Sequence, residues 1–181
     1  FGAVNWVNNA MRNQKRALVT GGAGLIGSHV ADLLVREGWR VRIIDNLEPN
    51  THKRGKPPWI NREAEFGEGD LRDRETIENA LQDIDVIFHQ AAYGGYMPEM
   101  AKYVHVNSLA TAQMLEVIRE KNLPIQKVIV ASSQAVYSEG AGECPKHGLV
   151  FPKVRPVEQL QQGDWSVRCP LEPPIVAVGV A

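Results

Sequence analysis

The chain has 181 residues, 44% of them hydrophobic and 23% charged, with a formal net charge of −1 and a pI near 6.6. Such a composition describes one ordinary folded domain with its own core and excludes a disordered or fibrous chain. It offers no basic footprint for nucleic acid or an anionic membrane, no apolar run near the roughly 18 residues of a membrane span, and, with only Cys144 and Cys169, no secreted disulfide scaffold.

Residues 1–14 lack the apolar core of a signal peptide, and Met11 stands just ahead of the first strand pattern. They are read as an N-terminal extension, and cytoplasmic residence is expected. The apolar run Arg16-Ala-Leu-Val-Thr20 then predicts a short buried strand. Gly21, Gly24 and Gly27 follow, and after them an amphipathic helix with Ile26, Val30, Leu33 and Leu34 on one face. A strand that delivers three glycines, spaced three apart, to a helix start suits a dinucleotide phosphate. Gly21 permits the tight turn, Gly24 the approach of a pyrophosphate, and Gly27 the packing of helix on strand. A nucleoside-triphosphate loop is disfavoured, because Ser28 stands where that loop needs lysine.

Arg40 to Asp45 reads as a second strand ending in an acid, about 20 residues beyond the glycines, where a carboxylate takes both hydroxyls of an adenosine ribose. Its charge would repel a 2′-phosphate, which favours NAD over NADP. Asn46 to Asn61 reads as a solvated surface loop, with reach over a ligand as the alternative. Ala64-Glu-Phe66 is a weak third strand, followed by Gly69-Asp70-Leu71. Asp73 is placed to cap a helix with Ile77, Ala80 and Leu81 inward.

Asp85 to His89 is a fourth strand running into Gln90-Ala91-Ala92, with His89 expected as a packed strand-end residue. Pro98 to Lys121 predicts a long helix with Met100, Val104, Asn107, Thr111, Leu115 and Ile118 inward. Asn107 either ties down a neighbouring loop or serves the site. Ile125 to Ala131 is a fifth strand ending in Ser132-Ser133.

The alternation of strand and helix implies an α/β fold, a Rossmann-like parallel sheet of order 3-2-1-4-5, with ligand at the carboxyl ends of the strands. Residues 15–137 form that domain. Residues 138–181 hold six of the eleven prolines and show no helical or strand period, so an irregular insertion or tail is expected. Within it, Cys144-x-x-His147 resembles half a zinc site, with Cys169 as a third ligand and Glu172 where a fourth would fall. A bound zinc and two free thiols both remain open at this point.

These residues together resemble the extended short-chain dehydrogenase/reductases, specifically the NAD-dependent sugar-nucleotide epimerase/dehydratase family. The resemblance spans about residues 15–140. It rests on Thr20-Gly-Gly-Ala-Gly-Leu-Ile-Gly-Ser-His29, Asp45-Asn46-Leu47, Gly69-Asp70-Leu71, His89-Gln-Ala-Ala92, Val106-Asn107 and Ser132-Ser-Gln-Ala-Val-Tyr137. It implies that Gly21, Gly24 and Gly27, with Leu25 and Ile26, hold a pyrophosphate. Asp45 and Asn46 would meet the ribose, Asp70 and Leu71 the adenine; Ala91 and Ala92 would line the cofactor, braced by Asn107. Ser133 would be catalytic, bonding the reacting sugar hydroxyl.

The substrate implied is a nucleotide sugar, with a dTDP-sugar first because the Cys144–Cys169 segment resembles an insertion in dTDP-L-rhamnose 4-epimerases. A homodimer through the long helix is also implied. The family's Tyr-x-x-x-Lys pair does not occur in this sequence, and residues 173–181 depart from the family pattern. The expectation is a catalytically incomplete fragment, with a non-catalytic NAD-binding module as the alternative and a small zinc protein as the third reading.

Overall fold

The computed structural model describes residues 14–95, 97–133, 139–173 and 175–179. Two compact units divide the chain, residues 1–131 and residues 132–181. The expected boundary lay a few residues later, after Tyr137, which itself falls outside the described residues.

The first unit is built on β1 (Arg16–Thr20), α1 (Leu25–Arg36), β2 (Arg40–Asp45), β3 (Glu65–Glu68), α2 (Arg74–Ala80), β4 (Val86–His89), a long helix and β5 (Lys127–Val130). All five strands are parallel, in the order β3-β2-β1-β4-β5. The central strand is buried on both faces. Ala17 and Val19 pack with Ala31, Leu34 and Ile43 beneath α1, while Leu18 packs with Ile77, Ile87 and Met114 on the opposite face. Covering both faces is what allows an all-parallel sheet to stay dry. Asp73 caps α2 as expected, accepting from the amides of Glu75 and Thr76.

Two helix faces differ from the sequence reading. In α1 the buried residues are Gly27, Ser28, Ala31 and Leu34, with Val30 partly packed, whereas Ile26 and Leu33 are exposed. The helix lies so close to the glycine loop that small residues make the contact, and a hydrophobicity pattern passes over small residues. The long helix comprises α3 (Met100–Tyr103), a π-helical turn (Val104–Leu109) and α4 (Ala110–Glu120). Its buried stripe is Ala110, Met114 and Val117, while Met100, Val104 and Leu115 are exposed. The buried positions fall one residue before Thr111 and Leu115, an offset already present at Val106, which is partly buried where Val104 is exposed.

In the second unit the expectation of irregular chain is corrected. A three-stranded antiparallel sheet joins β6 (Gly142–Cys144) to β7 (Gly148–Val150) and β8 (Val178–Gly179), with α5 (Val157–Gln161) between β7 and β8 in the chain. Strands of two or three residues are too short to show a period. Cys144, Val150, Cys169 and Ala177 form its small core. Among the described residues, no helix is long and apolar enough to cross a membrane.

Candidate functional site

The carboxyl ends of β1 to β4 meet along one rim of the first unit. Thr20 pairs with Ile44 and with His89, and Asp45 pairs with Glu68, so the residues that follow each strand emerge side by side. They enclose a cleft of about 140 Å³ whose walls include Gly21, Gly24, Asp45, Asn46, Asp70, Leu71, Ala91 and Ala92. Each of these eight is a residue the sequence placed in the site.

The glycine loop is shaped by close contact. Gly21 has φ +66°, and a Cβ there would lie 2.7 Å from the backbone of Ala91. A Cβ on Gly27 would meet the Gly21 carbonyl at 2.3 Å and the Gly22 Cα at 2.8 Å. Gly27 thus stands behind the wall and lets α1 seat against it. Leu25 and Ile26 open the helix and are 74% and 61% exposed. Among the described residues no side chain caps α1, and no acid occupies its first turn, which leaves its leading amides to an anion.

Asp45 is buried and braces the glycine loop. Its Oδ2 accepts from the Ala23 amide at 3.0 Å and its Oδ1 from the Leu47 amide at 2.9 Å. Asn46 donates to Asp70 at 3.0 Å. Arg72 holds the same carboxylate from two nitrogens, at 3.0 and 2.7 Å. That guanidinium, with smaller help from Asn46, keeps the Asp70 carboxyl well below the usual carboxylate range.

Asn107 resolves to the first of its two readings. It is exposed on the long helix, outside the cleft wall, and clasps the backbone of Tyr93. Its Oδ1 accepts from the Tyr93 amide at 2.7 Å, and its Nδ2 donates to the Tyr93 carbonyl at 2.9 Å. This fixes the segment that follows Ala91 and Ala92. Ser133 falls in the second unit.

Two features go beyond the leading sequence reading. The loop over residues 46–61 is not simply solvated. Glu48, Thr51 and His52 line the cleft, Trp59 donates to the Ala23 carbonyl at 3.2 Å, and Lys102 reaches Glu48 at 2.8 Å. The sequence carried this reach only as the alternative reading of the loop. The second feature is a buried chain of hydroxyls about His89, which is 4% exposed. The Thr20 hydroxyl accepts from the Gln90 and Ala91 amides at 3.2 and 3.1 Å. Its one proton therefore goes to His89 Nδ1, 2.8 Å away. Thr111 gives its proton to the Asn107 carbonyl at 2.9 Å, so His89 Nε2–H donates to Thr111 at 2.9 Å. The network assigns the Nε2–H tautomer and joins β1, β4 and the long helix beneath Ala91.

Burial pushes the His89 pKa below its ordinary value of 6.5. The unfolded chain then takes up a proton first as pH falls, so His89 stabilises the fold above about pH 6.5 and progressively less below it. The melting temperature is expected to drop between pH 7 and 5 by less in His89→Gln than in the parent chain. Equal slopes would remove His89 from the account.

In the second unit, the Sγ atoms of Cys144 and Cys169 each lie 3.4 Å from His147 Nδ1, and the three atoms lie within 4.8 Å of one another. Both cysteines are buried. Burial works to raise the Cys144 thiol pKa, but the Lys146 and His147 amides and the His147 and Cys169 side chains outweigh it and bring it to about 7. The sequence named these three residues as metal ligands, and the fold gathers them.

Residues 17–158 match the sequence profile of the NAD dependent epimerase/dehydratase family. The chain belongs to that family. It is 30% identical over 166 residues to a dTDP-L-rhamnose 4-epimerase of Burkholderia thailandensis, covering 88% of this chain and 46% of that protein. Its fold is similar to the UDP-glucose 4-epimerase of Thermus thermophilus in complex with NAD, at a TM-score of 0.57 and 33% identity over 73% of this chain and 41% of that one. The UDP-glucose 4-epimerase of Thermotoga maritima with UDP-glucose gives 0.59 and 33%, over 72% and 42%. The chain thus spans less than half the length of these relatives.

Proposed function

We propose that this chain supplies the NAD-binding part of an epimerase or dehydratase acting on a nucleotide sugar. The observation that carries the reading is the cleft itself, where residues from four strand ends meet an uncapped helix start. In this reading the amides of the Gly21, Gly24, Leu25, Ile26 and Gly27 loop hold the pyrophosphate, and Asp45 with Asn46 takes the ribose diol. Asp70 and Leu71 meet adenine, Ala91 and Ala92 let the cofactor lie against backbone, and Asn107 braces that stretch through Tyr93. NAD would supply a site that accepts a hydride from the sugar and returns it. Ser133 bonds the reacting hydroxyl. Support for NAD over NADP comes from Asp45, whose charge opposes a 2′-phosphate.

A dTDP-sugar is the substrate proposed first, on the name of the Burkholderia relative, with UDP-sugars second. Cytoplasmic residence goes with both ligands. A homodimer through the long helix is part of the same proposal, supported by the exposure of Leu109 and Leu115. For the second unit, zinc is proposed at Cys144, His147 and Cys169. The other reading of the first unit is a non-catalytic NAD-binding module.

Titration calorimetry with NAD and NADP tests the cofactor reading. Saturable NAD binding is expected, with NADP weaker by at least about tenfold. Indifference between the two cofactors, or no heat with NAD, would overturn it. Incubation with NAD and dTDP- or UDP-sugars separates an enzyme, which forms product, from a binding module, which does not.

A further inference from the structure

The zinc reading leaves a question that the geometry answers: what completes the coordination. Four-coordinate zinc, with Zn–S near 2.3 Å and Zn–N near 2.0 Å, spaces neighbouring sulfur and nitrogen ligands by about 3.5 Å. Both thiol-to-imidazole distances here, 3.4 Å, match that edge. The sequence put Glu172 at the fourth position. Its carboxylate instead faces the other side of the ring, 4.0 Å from His147 Nε2, while Nδ1 faces the two sulfurs. Lys146 holds the same oxygen at 2.6 Å. A turn closed by Ile175 N–H donating to the Glu172 carbonyl, and by Cys169 N–H donating to the Ile175 carbonyl, sets this arrangement. Among the described residues no fourth Cys, His, Asp or Glu joins the group, and the remaining residues of the sequence include none of these types.

From this we infer that the second unit holds its metal through three protein ligands and leaves the fourth coordination position to an exchangeable ligand from solution, a water or a small anion. Glu172 is a positioning residue. Its carboxylate, 4.0 Å from His147 Nε2, is beyond hydrogen-bond distance and acts on that edge of the ring by charge, while Nδ1 faces the two sulfurs. Carboxylates stand behind many metal-bound histidines, and a Cys₂His set with an open fourth place is a known arrangement for zinc. Access runs past His147, which is exposed, whereas both cysteines are buried. This inference rests on the zinc proposal, and the experiment separates their failures.

The whole chain, stripped of metal under reductant, is titrated with Co²⁺, and its absorption spectrum is followed. One equivalent should give thiolate-to-cobalt charge transfer and the visible bands of a four-coordinate ion. Added sodium azide should then shift the visible bands saturably. Glu172→Gln should keep the charge-transfer intensity while weakening Co²⁺ and Zn²⁺ by about 10–100-fold. Absence of bands, or bands unchanged in Cys144→Ser and Cys169→Ser, overturns the zinc proposal itself. Bands that form but ignore azide, or one metal per two chains, overturn the open position. Loss of ligand-field intensity in Glu172→Gln, or affinity unchanged in that variant, overturns the positioning role.

Discussion

Valine at Gly27 is expected to abolish measurable NAD binding and to lower the melting temperature of the first unit by several degrees. The reason is steric and local. The first carbon of any side chain there would lie 2.3 Å from the Gly21 carbonyl oxygen and 2.9 Å from its carbon, and both obstacles are backbone. Relief requires α1 to lift away from the loop, which costs on the order of 1–3 kcal/mol as overpacking and pulls the leading amides of α1 out of line with the cleft. Gly24→Ala makes the informative contrast. Its new carbon would meet only the Gly21 carbonyl, at 3.3 Å, so stability should change little. It would narrow the side of the cleft that Gly24 lines, and NAD affinity should still fall by at least about tenfold. A Gly27→Val chain that binds NAD like the parent would mean that the glycine loop is not a phosphate cradle.

Asp45→Ala is expected to weaken NAD by about 100-fold or more, because the residue serves two purposes at once. It offers the ribose diol a carboxylate, and it holds the amides of Ala23 and Leu47 in place. Removing it leaves the buried Ala23 amide unsatisfied, at a cost of about 1–3 kcal/mol, and frees the part-buried Leu47 amide, so the loop loosens as well as the ligand contact. Asp45→Asn separates the two roles. An asparagine can still accept from one amide and carries no charge, so NAD should weaken less than in the alanine variant. Discrimination against NADP should shrink, since the charge that opposes a 2′-phosphate has gone. Calorimetry on both variants checks this. An alanine variant within twofold of the parent would contradict the assigned role.

How far the site could be read ahead of the structure depended on what kind of residue carries each contact. Gly21, Asp45, Asp70 and Ala91 were legible because a buried parallel strand ends abruptly and its next residue has few conformations to choose from. The order of the five strands followed from alternation, right-handed crossovers and the reversal after the first half. The inward faces of α1 and α4 were not legible. In α1, Gly27 and Ala31 make the contact, and they carry almost no hydrophobic signal. In α4, the buried stripe begins at Ala110, another small residue with little hydrophobic signal. The Thr20–His89–Thr111 network escaped because its members lie far apart in sequence and only the register of β1 on β4 brings them together. The same holds for Trp59 on Ala23. Cys144, His147 and Cys169 were legible as a set from type and spacing, whereas the side of the ring that Glu172 faces required coordinates.

Hydrogen exchange of the whole chain with and without saturating NAD tests the central claim most directly. Slower exchange is expected at the amides of residues 22–28, 46–47 and 91–92, with the second unit unchanged. Protection confined to other segments, or exchange identical with and without NAD, would contradict it.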